Sequence, residues 1–169
     1  MADRRPSRKQ ARRDAAFVLY QYEVTGLPAE QLLADRAHSE GYRVDDFTRR
    51  MVEGVLAGCG ELDDELAAHS SSWPLSRIAP LERSILRLAL FEIRSGETPP
   101  EVAIDEAVRL AKRYSTDEAG AFVNGVLGGI VRGAEAAGES PARGEGAGEE
   151  GVDDGAVDDG AEDEEAADG

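Results

Sequence analysis

Residues 102–132 read VAIDEAVRLAKRYSTDEAGAFVNGVLGGIVR, and the spacing of apolar positions in this stretch decides the fold class. Ala103, Ile104, Ala107, Val108 and Ala111 recur at helical intervals. After a polar break, Ala119, Val123, Val126, Leu127 and Ile130 repeat the pattern. A helical period places each set on one face, so the stretch predicts two amphipathic helices that both need a core. Between them Ser115-Thr116-Asp117-Glu118 fits S-x-x-E, a box in which a serine oxygen and a carboxylate satisfy the free N–H groups of a helix start. The second helix is predicted to open there. Phe122 lies beside its stripe and Asn124 opposite, so the start of this helix offers a ring and an amide to a partner.

Working upstream, residues 80–93 (PLERSILRLALFEI) carry Leu81, Ile85 and Leu88 on one stripe and Leu86, Leu90 and Ile93 on the next. A helix apolar over most of its circumference belongs at the buried centre of a fold. Pro80 suits its first turn, Arg83 and Arg87 mark its wet side, and Thr98-Pro99-Pro100 forms a rigid link onward. Trp73, in the SSSWP break before it, can anchor either the core or a partner, and the core is preferred. Asp45-Asp46 caps a preceding helix whose apolar positions Phe47, Met51, Val52, Val55, Leu62 and Leu66 keep one phase across Gly58 and Gly60. The preserved phase predicts one long helix with at most a bend near Cys59, although each glycine costs about 1 kcal/mol relative to alanine. Glu61, Asp63, Asp64 and Glu65 point in different directions on such a helix, which reads as a solvated acidic face rather than a metal cluster. A short helix begins at Leu27-Pro28, carries Leu32, Leu33 and Ala37, and closes at Ser39-Glu40-Gly41. The first helix opens at Ser7-Arg8-Lys9-Gln10, an S-x-x-Q box, and runs on Ala11, Ala15, Val18, Leu19 and Tyr22 to Thr25-Gly26. The expectation is an all-α protein of about seven helices.

Charge is unevenly placed along the 169 residues. Of the net −16, residues 133–169 hold −13 and residues 1–132 only −3, so the overall acidity misleads about partners. Residues 1–13 hold Arg4, Arg5, Arg8, Lys9, Arg12 and Arg13 against Asp3. Cations at a helix start oppose the macrodipole, which favours an external anion as their partner. Phe17 and Tyr20 fall off the apolar stripe of this helix and are free to cover the core from the side or to stack on a base. Beyond residue 132 only Gly, Ala, Glu and Asp dominate, a composition that cannot bury a core. Three segments are expected: a disordered basic arm over residues 1–6, a helical domain over 7–132, and a disordered acidic tail over 133–169.

Cys59 is the single cysteine and cannot form an internal bridge, consistent with a reducing compartment. His38 and His69 read as surface residues. No apolar run reaches the roughly 18 residues of a membrane span, and no h-region follows the basic start, so a cytoplasmic protein without a membrane partner is expected. The chain has no phosphate-binding glycine loop, no nucleophile elbow and no histidine beside a nucleophile. It does not read as an enzyme, and no cofactor or metal is expected.

Three motifs in order carry a family resemblance: the arginine-rich first helix ending in VLYQYE, then LERSILRLALFEI, then VAIDEAVRLAKRYS followed by FVNGVLGGI. Together they resemble the NusB family of bacterial transcription antitermination factors over roughly residues 7–132. The resemblance implies two small helical subdomains packed at a shared core. It also implies binding of the single-stranded boxA element of ribosomal RNA leader transcripts, together with the small-subunit ribosomal protein NusE, in an antitermination complex on RNA polymerase. By position, Arg8, Lys9, Arg12 and Tyr20 match the RNA-facing first helix, and Tyr114, Glu118 and Phe122 match a second RNA patch. Tyr114 stands for a family phenylalanine and Glu118 for an aspartate, which preserves the type of contact. Glu82 matches a NusE-contacting position, and Arg13 joins the RNA set by its charge alone. Some family members self-associate, so a homodimer is a further partner to test. The competing expectation is a helical protein–protein adaptor without RNA specificity. A third, a stand-alone relative of the RNA-recruiting domain fused to ribosomal RNA methyltransferases, is disfavoured because no cofactor-binding domain follows.

Overall fold

The computed structural model describes residues 4–142. Over these residues the chain forms seven α-helices and one short 3-10 turn: α1 (Arg8–Thr25), α2 (Ala29–Glu40), α3 (Asp46–Ala57), α4 (Cys59–His69), the turn Leu75–Arg77, α5 (Pro80–Ser95), α6 (Pro100–Tyr114) and α7 (Asp117–Ala136). The all-α expectation holds among the described residues. The acidic stretch after residue 142 lies outside them.

Local chemistry sets the helix ends. Ser7 and Gln10 close the expected capping box at α1, and Gly26 ends the helix at φ 70°. Asp45 caps α3 by accepting from the Thr48 N–H at 2.9 Å. The start of α7 departs from expectation. Thr116, not Ser115, is the cap, accepting from the Ala119 N–H at 3.0 Å. Ser115 instead donates its hydroxyl to Glu82 at 2.7 Å, which leaves Glu118 one position too early to close a box. The single helix expected over residues 45–66 is also two, because the backbone at Gly58 leaves helical values at φ −101° and ψ 16°. Gly58 still donates to the Gly54 carbonyl and Leu62 still donates to Gly58, so the apolar phase crosses the break and hides it from a periodicity reading.

α5 is the centre. It packs against α1 and α3 on one side and α4, α6 and α7 on the other, and it buries Ile85, Leu86, Leu88, Ala89, Leu90 and Ile93. One hydrophobic cluster runs through both groups of helices, from Ala15 and Val18 of α1 to Val123 and Leu127 of α7. α6 contributes Ala103, Ala107 and Ala111, a small-residue stripe that lets α7 approach closely.

Polar side chains fix the angles between helices. Arg83 and Arg87, expected on the wet side of α5, are mostly covered. Arg87 reaches Asp63 of α4 and Glu23 of α1, while Arg83 reaches Glu23 and the Leu75 and Ile78 carbonyls. Asp63 and Glu65 therefore leave the solvated acidic face, since Glu65 pairs with Arg94. Trp73, for which the core is the preferred role, is 53 % exposed and so stands where a partner could meet it, while Ile78 after the turn is buried. α7 runs on past residue 132 to Ala136, and residues 137–142 turn back so that the Pro141 carbonyl accepts from Arg94 at 2.7 Å. No helix among the described residues is long and apolar enough to cross a membrane.

Candidate nucleic-acid interface

Lys9, Arg13, Phe17 and Tyr20 recur at i, i+4, i+8 and i+11 and form one stripe along α1. The end of α6 lies beside it. Phe17 meets Tyr114 edge-on, with ring centroids 4.9 Å apart, and the Arg36 guanidinium of α2 covers Phe17 at 5.0 Å. Edge-to-face rings and a cation over a ring each add to simple burial. This cluster ties three helices together and holds Tyr114 half-exposed. Next to it, Lys9, Arg13, Arg109, Arg113 and Tyr114 line a groove of about 280 Å³. Lys9 and Arg113 have no ion-pair partner among the described residues. Arg109 shares its charge with Glu106 at 3.2 Å.

Arg13 is less available. It bonds Asp14 and Glu40, and although burial by itself would lower its pKa, these two carboxylates outweigh burial and raise it. Arg8 is exposed and its guanidinium carbon sits 4.0 Å from the centre of the Phe47 ring, on the α3 side of α1.

Arg12 corrects the reading of this helix. It is 8 % exposed, and its guanidinium makes three hydrogen bonds to the buried Glu92 of α5 at 2.6 to 3.0 Å. Thr98 donates to the same carboxylate at 2.7 Å. A charge so committed anchors α1 to α5 and is not offered to a phosphate. Charge count alone does not separate Arg12 from its neighbours; the signal that does is its position one turn from Ala15 and Ala16, both buried.

The second patch begins one residue on. Ser115 follows Tyr114 and holds Glu82, and from there Glu82, Glu118, Phe122, Trp73, Arg77 and Thr116 line a groove of about 370 Å³. The structure thus brings Glu82, Glu118 and Phe122 together, and joins them to the α1 stripe through Tyr114 and Ser115. Three residues of this surface are not foreseen from the sequence. Arg77 sits in a segment without periodicity, and Arg109 and Arg113 lie on the solvent side of α6, where charge is usually mere solvation.

Among the described residues no group of three or more His, Cys, Asp or Glu converges to hold a metal. Cationic side chains interleaved with rings on a helical face, continuous with a second groove holding an indole and a phenyl, define an all-helical protein with a candidate surface for another macromolecule. Residues 9–132 match the model of the NusB family. The transcription antitermination protein NusB of Rubrobacter xylanophilus is 45 % identical over 130 residues, covering 76 % of this chain and 90 % of that protein. T. maritima NusB has the same fold, with a TM-score of 0.69 at 32 % identity over 76 % of this chain and 93 % of that one. A crystal structure of the antitermination factors NusB and NusE with dsRNA matches at a TM-score of 0.68 and 28 % identity, over 75 % and 96 % of the two chains. The chain belongs to the NusB family of transcription antitermination factors, and it is not an enzyme.

Proposed function

We propose that this protein binds the single-stranded boxA element of ribosomal RNA leader transcripts along the face formed by α1, the end of α6 and the start of α7. It does so in the cytoplasm, together with the ribosomal protein NusE, within an antitermination complex on RNA polymerase. The observation that carries the reading is the Phe17–Tyr114 ring pair with Lys9 and Arg113 beside it. Unpaired RNA is bound by cations that take the phosphates and by rings that take the bases, and this face has both. The similar NusB–NusE structure with dsRNA supports the choice of partners.

Each residue has a role in this reading. Lys9 and Arg113 take phosphates on this face and Arg8 takes one from the α3 flank of α1, with Arg13 a weaker contributor because two carboxylates hold it. Tyr20, Tyr114 and Phe122 offer rings to bases, and Glu118 accepts from base amino groups. Glu82 and the exposed Trp73 face NusE. Arg12 serves from inside, holding the stripe at its angle to α5.

Fluorescence anisotropy with leader RNA and a scrambled RNA of equal length tests this. Phe122→Ala should weaken the leader RNA by about tenfold, in keeping with stacking of about 1–3 kcal/mol per base, and the scrambled RNA much less. A uniform loss on both RNAs returns Phe122 to a packing role, and no preference of the unsubstituted protein for the leader RNA ends the reading. Light scattering at two concentrations decides whether a homodimer hides the face.

A further inference from the structure

A second cationic groove, of about 470 Å³, opens between the start of α1 and the start of α3. Arg5, Arg8, Arg43 and Arg50 line it over the Phe47 ring. Arg5, Arg8 and Arg43 have no ion-pair partner among the described residues, and all four arginines are exposed. Asp45 and Asp46 are the acidic groups of its wall, and Asp45 is occupied in capping α3. The helical RNA face described above does not use Arg5, Arg43 or Arg50.

The position at which the described chain ends is an independent observation. After α7, Gly138 at φ 71° turns the backbone, Arg94 holds the Pro141 carbonyl, and Ala142 lies against Gly96, where an added Cβ would be 3.4 Å from the alanine methyl. Glu97, the next residue, bonds Arg50 at 3.1 Å. The chain therefore leaves the body beside the groove. Residues 143–169 carry twelve carboxylates and one cation, Arg143. At about 3.3 Å per extended residue, a few residues suffice to pass Glu97 toward Arg50, and the rest of the segment is long enough to continue along the groove. Attachment also holds the segment at an effective concentration on the order of millimolar.

We propose that residues 143–169 bind this groove as an acidic peptide of the protein's own chain, their carboxylates set against Arg5, Arg8, Arg43 and Arg50. The groove is then a built-in anion site, separate from the Lys9–Arg113 face and sharing with the RNA reading only Arg8. That shared arginine makes the segment a competitor of RNA at low salt, a corollary that rests on the RNA reading.

The test of the site itself uses no RNA. The full chain carries a nitroxide at Ala161→Cys in a Cys59→Ala background, and paramagnetic broadening of backbone amides is read by NMR. Broadening is expected at residues 5, 8 and 43–50. It should vanish at about 0.5 M salt, where screening is strong, and in the surface variant R43E/R50E. Absence of local broadening, its persistence in R43E/R50E, or its appearance around Lys9 and Arg113 instead would overturn the proposal. A second measurement separates the other occupant. If R43E/R50E weakens RNA binding equally in the full chain and in a chain whose twelve carboxylates are amides, the groove belongs to RNA and the proposal fails.

Discussion

Arg12 is the residue at which charge and position disagree. Its neighbours Lys9 and Arg13 reach water or partly reach it, whereas Arg12 is sealed against Glu92 with Thr98 completing the carboxylate's bonds. Taking one partner from such a pair leaves a buried charge uncompensated, at a cost of about 3–5 kcal/mol. Glu92→Ala should lose that much stability in urea denaturation, and a loss below about 1 kcal/mol would show that the pair does not anchor α1. Replacing both by leucine and methionine should cost far less. Cys59 gives a prediction of a different kind. Burial pushes its thiol up, Arg87 opposes, and Asp63 and Glu23 add to the rise. A raised thiol pKa means less thiolate at a given pH, so iodoacetamide should alkylate Cys59 more slowly than a free cysteine at pH 8, with a midpoint above the ordinary thiol value. A midpoint at or below that value would contradict the surroundings described.

Two junctions decide how the helices meet. Gly54 of α3 faces Phe91 of α5 so closely that an added Cβ would lie 2.0 Å from the ring, well inside contact distance. Gly54→Ala must push the ring aside, and overpacking of this kind costs about 1–3 kcal/mol. Thermal unfolding should show the drop, while Gly60→Ala, with open space around it, should not. At α7 the cap is Thr116, so Thr116→Ala should cost about 1 kcal/mol. Ser115→Ala should leave stability nearly unchanged and release Glu82. Equal losses at both positions would restore the box that the spacing of residues 115–118 suggests. The break at Gly58 belongs to the same scale: hydrogen bonds on either side keep α3 and α4 in register, so the apolar pattern continues while the axis does not.

For the molecule as a whole, what matters is which cations remain unspent. Of the arginines and lysines at the start of α1, one is buried, one is held by two carboxylates, and Arg8 and Lys9 stay exposed on opposite grooves. Each phosphate contact to a single strand contributes a slope of about −0.7 in log K against log salt. Replacing Lys9 and Arg113 with alanine should flatten that slope by about 1.4. An unchanged slope would move the RNA off this face.

The fold class, the caps of α1 and α3, the burial of α5 and the split between a nearly neutral body and an acidic end were all legible in the sequence. Periodicity, capping and composition are local properties, so they carry these readings, but they miss the break in the backbone at Gly58 and the Ser115–Glu82 bond that moves the α7 cap to Thr116. What only the tertiary structure decided is which side chains the helices spend on one another. Arg12 meets a carboxylate 80 residues away, Arg83 and Arg87 turn inward to Glu23 and Asp63, Phe17 finds Tyr114, and Trp73 is left outside. Such pairings depend on the angles at which helices cross, and no spacing within one helix encodes them. The candidate RNA face and the arginine groove are what remains after those pairings are made.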